Sequence, residues 1–177
     1  IELGLVGSEM CIRDSSSSVY GGYTNLPFSE KNPVEHPVSL YAATKKSNEL
    51  MAHSYSHLYG IPSTGIRFFT VYGPWGRPDM APMIFTKSIL NGEKIKIFNN
   101  GDMYRDFTYI DDVVENLYRL VKKPAKPNEE FNLSKPVYSS SWAPYQILNL
   151  GNSESVKLLE FINCLEEVLD KLSLIHI

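Results

Sequence analysis

Tyr41 and Lys45 are the residues of this sequence whose types and spacing best suit chemistry. They lie four positions apart in the segment Ser39-Leu-Tyr-Ala-Ala-Thr-Lys-Lys. Residues four apart share a face of a helix, so the Lys45 ammonium can lie beside the Tyr41 phenol and favour its ionised form. Because a phenol normally titrates near ~10, it acts as a base at neutral pH only when its pKa is lowered. The pair therefore indicates proton abstraction from a bound alcohol.

A run of serines, Ser15-Ser-Ser-Ser-Val-Tyr-Gly, precedes this pair. A serine hydroxyl at the tip of a strand can share the proton of a bound alcohol, and with Tyr41 and Lys45 it suits reversible oxidation of a hydroxyl to a ketone. Spacing alone does not prove this role, because Tyr118 and Lys122 show the same separation. The two pairs differ in context, since Tyr41 opens its helix after a polar, Pro-containing loop, whereas Tyr118 closes a helix that is predicted to pack.

The composition fits one soluble globular domain with a real core. The chain has 177 residues, of which 43% are hydrophobic and 21% are charged. The net charge is −3 with acids and bases interspersed, so no basic face favours nucleic acid and no basic amphipathic helix favours a membrane surface. No apolar run approaches the ~20 residues that cross a bilayer. Small polar or anionic substrates remain open as ligands.

Two cysteines, Cys11 and Cys164, are too few and too far apart in sequence for a disulfide framework or a zinc site. We therefore expect no metal site and a cytoplasmic location. The amino end also lacks the basic region and apolar stretch of a signal peptide, which argues against export.

Caps, breakers and hydrophobic spacing predict alternating helices and strands. Ser39 is placed as a helix cap and Gly60 as a helix stop. The predicted helices cover residues 40–59, 83–90 and 111–121, and an amphipathic helix follows whose buried side carries Leu158, Leu159, Phe161, Ile162, Leu165, Val168 and Leu169. The predicted strands cover residues 63–72, 94–98, 105–110 and 145–150, with a loop over 122–144. This alternation indicates an α/β fold with a mainly parallel sheet.

One feature of dinucleotide-binding folds is missing from the sequence. Such a fold normally begins with a Gly-rich turn, where backbone amides and a helix end hold the pyrophosphate. No G-x-G-x-x-G or G-x-x-G-x-x-G pattern occurs, and Gly4 and Gly7 are not followed by a suitable helix. We therefore expect the chain to be the carboxyl-terminal half of a larger enzyme, and to be inactive by itself.

Four segments together resemble the extended short-chain dehydrogenase/reductase family, in its NAD-dependent epimerase/dehydratase branch. They are the serine run, the Tyr41 segment, Arg67-Phe-Phe-Thr-Val-Tyr-Gly-Pro-Trp-Gly-Arg-Pro-Asp-Met and Gly101-Asp-Met-Tyr-Arg-Asp-Phe-Thr-Tyr-Ile-Asp-Asp. Four motifs in the right order are far more specific than any one of them. The resemblance covers about residues 15–171, and the Trp-Gly-Arg-Pro-Asp-Met stretch is similar to UDP-glucuronate 4-epimerases.

The resemblance implies a Rossmann-like doubly wound parallel sheet that lacks its amino-terminal strands, with a smaller α/β substrate-binding subdomain. Residues 15–73 would form the carboxyl-terminal part of the dinucleotide-binding domain and carry the catalytic helix. Residues 74–171 would form mainly the sugar-nucleotide-binding subdomain, with interleaved core elements. Residues 1–14 and 172–177 have no family counterpart, and charged residues stand where a buried strand belongs. We expect these two segments to be a non-native leader and tail.

The resemblance also implies the chemistry. Tyr41 would remove the proton from the 4-hydroxyl of a UDP-sugar while hydride passes to NAD, and Lys45 would also hydrogen-bond the nicotinamide ribose. The family's serine would be Ser16 or Ser18, and the sequence does not choose between them. The 4-keto sugar would rotate and take hydride back on its other face, so NAD stays bound. Phe69 stands where the family packs an aromatic residue near the nicotinamide.

The resemblance assigns further residues to the substrate. Arg77 would bind the carboxylate of glucuronate, because a guanidinium fork matches a carboxylate in two parallel hydrogen bonds, and Thr70 would help to hold it. Arg105 resembles the residue that contacts the diphosphate, and Phe98 with Asn99 resembles the wall around the uracil. From composition alone, Arg77 could be an ordinary surface residue, Arg105 part of a surface ion pair and Phe98 a core aromatic.

The leading hypothesis is a NAD-dependent UDP-glucuronate 4-epimerase, an isomerase. Within the family, the alternatives are a UDP-glucuronate decarboxylase and a nucleotide-sugar 4,6-dehydratase, but dehydratases usually carry acidic residues where this chain has Ser17 and Ser18. An alternative of another class is a non-catalytic sugar-nucleotide-binding module. Family members pair helices between subunits, one of them the Tyr41 helix, so a homodimer is a further expectation.

Overall fold

The computed structural model describes residues 11–23 and 25–176 of an α/β protein. Its strands are β1 Cys11–Ser16, β2 Ser63–Phe68, β3 Thr70–Tyr72, β4 Lys94–Lys96, β5 Tyr104–Tyr109, β6 Tyr145–Leu150, β7 Ser155–Lys157 and β8 Leu174–His176. Its α-helices are α1 Leu40–Tyr59, α2 Ala81–Asn91, α3 Ile110–Val121 and α4 Leu158–Leu169, and short 3-10 turns cover Ser17–Tyr20 and Asn99–Gly101. The four predicted helices are present, whereas β7 and β8 were not predicted.

The described chain divides into two compact units. The first unit contains the residues up to Phe69 together with Val114–Leu150, and the second contains Thr70–Val113 and the residues from Gly151 onward. The predicted domain division after residue 73 stays a prediction about the larger protein.

The first unit is built on a three-stranded parallel sheet in the order β1-β2-β6. Helix α1 packs against all three strands, with Ala42 completely buried. As predicted, Ser39 caps α1 and Gly60 ends it, in the left-handed conformation with φ of 64° that glycine adopts without strain. The parallel pairing brings the carboxyl ends of β1 and β2 together, because Ser16 lies opposite Phe68.

The prediction of one strand over residues 63–72 is wrong. Strand β2 ends at Phe68, and β3 begins at Thr70 in a different sheet. The break falls at Phe69. Its amide still donates to the Leu150 carbonyl at 3.3 Å, and its ring lies 6.5 Å from that of Phe28. Strand propensity runs through the whole segment, so the local sequence carries no signal for this change of partner.

The second unit contains a sheet in the order β3-β5-β7 and a parallel pair of β4 with β8. Its core lies where α2 and α4 meet and comprises Phe85, Ile89, Ile95, Ile97, Leu158 and Ile162. Two residues predicted on the buried side of α4 are largely solvent-accessible, since Leu159 is 42% and Val168 is 78% exposed. Val168 lies off the stripe formed by Leu158, Ile162, Leu165 and Leu169, which follows the helical period.

Both ends of the described chain take part in strands. Strand β1 includes residues 11–14, and β8 includes residues 174–176. Residues 1–10 of the predicted leader and residue 177 of the predicted tail lie outside the described residues. Their non-native origin stays a prediction. Cys164 is an exposed free thiol, while the side chain of Cys11 is not described.

Two absences within the described residues concern membrane-spanning helices and metal sites. No helix within residues 11–23 and 25–176 is long and apolar enough to span a membrane. In the same residues, no group of three or more His, Cys, Asp or Glu side chains is placed to hold a metal ion.

Candidate active site

The amino end of α1 carries the predicted catalytic tyrosine and lysine. Ser39 Oγ accepts a hydrogen bond from the Ala42 amide at 3.1 Å, which fixes the first turn. Tyr41 is the second residue of the helix and is 53% exposed. Lys45 Nζ lies 5.6 Å from the centre of the Tyr41 ring. The structure therefore places both groups on one face of α1, with the phenol accessible to a ligand.

Asp14 is a contact of Lys45 that the sequence did not reveal, because the residue fell in the predicted leader. It lies on β1, and its carboxylate forms an ion pair with Lys45 Nζ. The Lys45 side chain is mostly buried, whereas that of Asp14 is half exposed. The ion pair holds the ammonium between α1 and the end of β1.

The serine run has two distinct parts. Ser15 is buried, and its hydroxyl donates to Glu49 Oε1 at 2.7 Å, so it is not available to a substrate. Ser16 Oγ lies 3.1 Å from Ser18 Oγ and accepts a hydrogen bond from the Ser18 amide at 3.2 Å. Ser16 and Ser18 thus form a partly buried pair of hydroxyls on a 3-10 turn that packs against α1. The choice between them as the catalytic serine stays open.

The pair of Tyr118 and Lys122 shows that tyrosine–lysine geometry alone does not identify a catalytic site. Lys122 Nζ lies 3.9 Å from the centre of the Tyr118 ring, closer than Lys45 lies to Tyr41. The serine pair packed against α1 is what distinguishes the Tyr41 site.

A buried ion pair beneath the serine run escaped the sequence analysis. Arg67 of β2 is 0% exposed and Glu49 of α1 is 2% exposed. Arg67 Nε donates to Glu49 Oε1 at 2.8 Å, and Arg67 Nη2 donates to Glu49 Oε2 at 3.0 Å. A charged residue inside the apolar segment Ile66-Arg67-Phe68 was the only local signal, since burial of such a residue requires a partner.

The electrostatics of this pair keep both groups charged. Burial by itself would raise the pKa of Glu49, but the hydrogen bonds and charge of Arg67, with help from Ser15 and Lys46, hold that pKa below its ordinary value. Burial by itself would lower the pKa of Arg67, and Glu49 raises it instead. The pair is therefore ionised throughout the neutral pH range.

Phe69, predicted near the nicotinamide, belongs to an aromatic group in the first unit. Tyr20 stacks on Phe28 with ring centres 4.5 Å apart, and Phe28 lies 6.5 Å from Phe69. Phe69 is only partly buried. Phe69 therefore packs against this aromatic group on one side, and part of its side chain is accessible to a ligand.

In the second unit, three of the predicted substrate residues line one cavity. The cavity has a volume of about 510 Å³, and Thr70, Phe98 and Arg105 are among its lining residues. Its floor is apolar and includes Ile95 and Leu158. A cavity of this size with an apolar floor and a guanidinium on its wall suits a small anionic organic molecule.

Asn99, by contrast, does not line this cavity. Its side-chain amide donates to the Asp102 carbonyl at 2.9 Å, and its backbone has φ of 51°. The amide therefore stabilises the turn after β4. Phe98 is 74% exposed, so it is not the core aromatic that composition alone would allow.

Arg77 already presents its guanidinium fork to a carboxylate. It is 71% exposed in its side chain and donates from Nε and Nη2 to the two oxygens of Asp79, which lines the cavity. The hydrogen bond from Arg77 holds the pKa of Asp79 below its ordinary value. Arg77 thus has the geometry for bidentate recognition, with a carboxylate of its own chain in that position.

Arg105 and Asp106 have separate partners. Asp106 accepts hydrogen bonds from the amides of Asn152 and Ser153 at 2.8 and 2.9 Å, which fixes the turn after β6. Arg105 Nη1 donates to the Tyr104 carbonyl at 3.1 Å. Within the described residues, no ion pair joins Arg105 to Asp106. Arg105 lines the cavity instead.

Comparison with known proteins decides the family. A model of the NAD dependent epimerase/dehydratase family matches residues 7–134. The chain belongs to this family. Membership confirms the predicted Rossmann-like α/β fold, and it confirms NAD as the cofactor of the family. The roles of individual site residues stay predictions.

Several curated proteins are similar to this one over most of the chain. Protein CapI of Staphylococcus aureus is 60% identical over 157 residues, covering 89% of this chain and 47% of the relative. A probable UDP-glucuronate 4-epimerase of Rhizobium meliloti is 48% identical over 160 residues, covering 89% of this chain and 46% of the relative. The chain therefore spans about half the length of the curated relatives it matches.

A solved family member has the same fold. The crystal structure of UDP-glucuronic acid 4-epimerase from Bacillus cereus in complex with UDP-glucuronic acid and NAD matches with a TM-score of 0.75 and 32% sequence identity. The match covers 93% of this chain and 47% of the solved chain.

The residues present fit the nicotinamide half of NAD. The Lys45 ammonium, which is paired with the Asp14 carboxylate, is a hydrogen-bond donor of the kind that ribose hydroxyls require. Tyr41 and Phe69 are accessible in the same unit. The Gly-rich turn that holds the pyrophosphate has no counterpart in the sequence.

Proposed function

We propose that the full-length protein, in which the amino-terminal half expected from the family precedes this chain, converts UDP-glucuronate to UDP-galacturonate. The observation that carries the proposal is the 48% identity over 160 residues to a probable UDP-glucuronate 4-epimerase. UDP-glucuronate 4-epimerase 2 of Arabidopsis thaliana is also 48% identical, over 158 residues. We propose a cytoplasmic enzyme, as the two widely separated cysteines suggest.

In this proposal, the first unit supplies the reacting groups. Tyr41 removes the proton from the 4-hydroxyl, with the Lys45 ammonium stabilising the phenolate and holding the nicotinamide ribose. One of the two hydroxyls, Ser16 or Ser18, holds the oxygen at carbon 4 as it becomes a ketone. NAD, when bound, would supply reversible hydride transfer at carbon 4, and Lys45 and Phe69 are the residues that would hold its nicotinamide half. The accessible phenol and the partly buried hydroxyl pair support these roles.

The second unit supplies the residues that hold the substrate. Arg105 binds the diphosphate, and Phe98 with Asn99 forms the wall around the uracil. The shared cavity of Thr70, Phe98 and Arg105 supports the roles of Phe98 and Arg105, whereas Asn99 lies outside that cavity and its side-chain amide donates to the Asp102 carbonyl.

Arg77 and Thr70 hold the sugar carboxylate in the proposed mechanism. The bidentate geometry of Arg77 with Asp79 supports the choice of a uronate, because a substrate carboxylate that replaces Asp79 would fit the same fork. Such anchoring has a chemical purpose, because a 4-keto uronate is a β-keto acid that loses carbon dioxide readily. A carboxylate held away from the orientation for that loss protects the intermediate.

We also propose that the protein acts as a homodimer through α1. Several apolar side chains of this helix are exposed at helical spacing, among them Met51, Tyr55 and Leu58. The 177-residue chain by itself is proposed to be inactive, because it lacks the pyrophosphate-binding turn.

Product analysis tests the proposed function. The full-length protein is incubated with UDP-glucuronate and catalytic NAD, and the products are separated by chromatography. UDP-galacturonate is the expected product. UDP-xylose would identify a decarboxylase, a 4-keto-6-deoxy product would identify a dehydratase, and UDP binding without conversion would identify a non-catalytic module.

A further inference from the structure

We propose that Glu49 is a positioning residue that sets the pair of Ser16 and Ser18, at the end of β1 and in the turn after it, relative to Tyr41. Its buried carboxylate fixes both the strand that carries the serines and the helix that carries the tyrosine. The inference rests on the proposed function and goes beyond it, because Glu49 touches neither the substrate nor the cofactor in that mechanism.

The Glu49 carboxylate receives donors from three elements. Ser15 of β1 donates at 2.7 Å, and Arg67 of β2 donates through two nitrogens at 2.8 and 3.0 Å. Lys46 of α1 itself adds a contact at 3.3 Å. Two carboxylate oxygens offer about four acceptor sites, so the group is fully satisfied. The carboxylate therefore has one geometry, which the surrounding donors determine.

Glu49 transmits that geometry to the catalytic face of α1. It follows Lys45 by four residues and Tyr41 by eight, which places all three on neighbouring turns of one side of the helix. Its backbone carbonyl also accepts a hydrogen bond from the Tyr145 hydroxyl of β6 at 3.1 Å. Attachment through both the carboxylate and the carbonyl fixes the rotation and the axial position of α1 on the sheet.

The same carboxylate fixes the start of the serine segment. Ser15 is directly followed by Ser16, whose hydroxyl caps the 3-10 turn and contacts Ser18. A loss of the bond between Ser15 and Glu49 would release this end of β1 from α1. The distance between the serine hydroxyls and the Tyr41 phenol depends on that link.

Arg67 anchors the other end of the serine segment. Its guanidinium carbon lies 4.8 Å from the centre of the Tyr20 ring, a cation–π contact. The Tyr20 hydroxyl in turn donates to Asn149 Oδ1 at 2.7 Å. The segment from Ser15 to Tyr20 is thus held at both ends by the pair of Glu49 and Arg67.

The stability of the fold does not by itself explain why Glu49 and Arg67 form a buried ion pair where apolar residues could pack. A buried ion pair costs desolvation, and well-packed apolar residues of similar volume often serve stability equally well or better. A bidentate pair does fix direction and distance, which an apolar contact does not. The pair is therefore suited to alignment of the catalytic groups.

The test uses Ser15→Ala in the full-length protein, because this change removes one donor and leaves the charges of Glu49 and Arg67 paired. Ser63→Ala is the matched control, since Ser63 is a buried serine of β2 whose hydroxyl donates to the Ile61 carbonyl. We expect Ser15→Ala to lower kcat about tenfold or more with KM unchanged, because small misplacements of catalytic groups are costly. Ser15→Thr, which keeps the hydroxyl, should restore most of the activity.

A second readout does not depend on turnover. The ring of Tyr41 is followed by NMR with a carbon-13 label at Cζ, and its signal is assigned with Tyr41→Phe. We expect the Cζ chemical shift of Tyr41 to differ from wild type in Ser15→Ala and to stay unchanged in Ser63→Ala, because this shift reports the surroundings of the phenol. An inactive wild type would contradict the proposed function, and the NMR signal would then decide this inference. Equal kcat and equal Cζ chemical shifts in both serine variants would overturn it.

Discussion

Tyr41 is the residue on which the proposed catalysis depends first. Removal of its hydroxyl in Tyr41→Phe should lower kcat of the full-length protein by about 10²–10⁴-fold, the range expected for loss of a general base. Binding of UDP should not change, because the phenol contacts the sugar. Steady-state kinetics and UDP titration measure the two effects.

Tyr118→Phe is the matched control for this change. Tyr118 has the same spacing to a lysine and a closer contact with it. We expect its activity to stay within twofold of wild type. A comparable loss of kcat in Tyr41→Phe and Tyr118→Phe would contradict a specific catalytic role for Tyr41.

Arg77 carries the second residue-scale prediction, which concerns substrate choice. Arg77→Ala should raise KM for UDP-glucuronate at least tenfold and increase the release of carbon dioxide per turnover, because the carboxylate is no longer held. Arg119→Ala is the control, since Arg119 is an exposed arginine paired with Glu115 on α3. Kinetics with product analysis tests both, and an unchanged KM with unchanged decarboxylation would count against the assignment.

The third prediction concerns acid stability. The pKa of Glu49 is lower in the folded chain than its ordinary value of 4.5, so the folded state binds this proton more weakly. The stabilisation is fully present above about pH 4.5 and is lost as pH falls through the folded pKa.

Urea unfolding at several pH values measures this effect. The difference in free energy of unfolding between wild type and Glu49→Gln should shrink as pH falls below about 4.5. The exposed Glu154→Gln should differ little from wild type at any pH. A difference for Glu49→Gln that is constant with pH would contradict the assignment of this shift.

The residues of the site were predictable to the extent that their signals are local. Tyr41 and Lys45 follow from a spacing within one helix, and Arg77 follows from a motif. Glu49 and Arg67 were missed because their contact joins residues 18 positions apart in different elements. Spacing along a helix or strand does not tell which residues of different elements lie opposite each other. Only the packed fold defines those contacts.

At the scale of the element, the first turn of α1 positions the catalytic tyrosine. Ser39→Ala removes the cap bond to the Ala42 amide and should cost about 1 kcal/mol of unfolding free energy. Ser54→Ala is the control, because its hydroxyl only donates to the Leu50 carbonyl within the same helix. Urea unfolding measures both, and equal stability of the two variants would show that the cap is not formed.

Elements with strong local signals were predicted well, and elements defined by a partner were not. Helix α1 has a serine cap and a glycine stop, and its predicted bounds agree with the structure. Strands β7 and β8 have three residues each and exist through pairing with β5 and β4. The split between β2 and β3 has the same cause, because each strand joins a different sheet.

At the scale of the whole molecule, the exposed face of α1 predicts association. Tyr55→Lys should convert a dimer of the full-length protein to a monomer, because a charge would be placed within an apolar interface. Tyr138→Lys, at a partly exposed tyrosine in a loop, should remain dimeric. Sedimentation equilibrium tests this, and a monomeric wild type or a dimeric Tyr55→Lys would rule out an interface on this face.

In the proposed mechanism, carbon 4 is oxidised and then reduced by the same hydride. The most direct measurement uses UDP-glucuronate with deuterium at carbon 4, incubated with the full-length protein and NAD, and follows the sugar by NMR. We predict UDP-galacturonate that retains deuterium at carbon 4 with inverted configuration. Loss of the deuterium, or inversion at another carbon, would contradict the account.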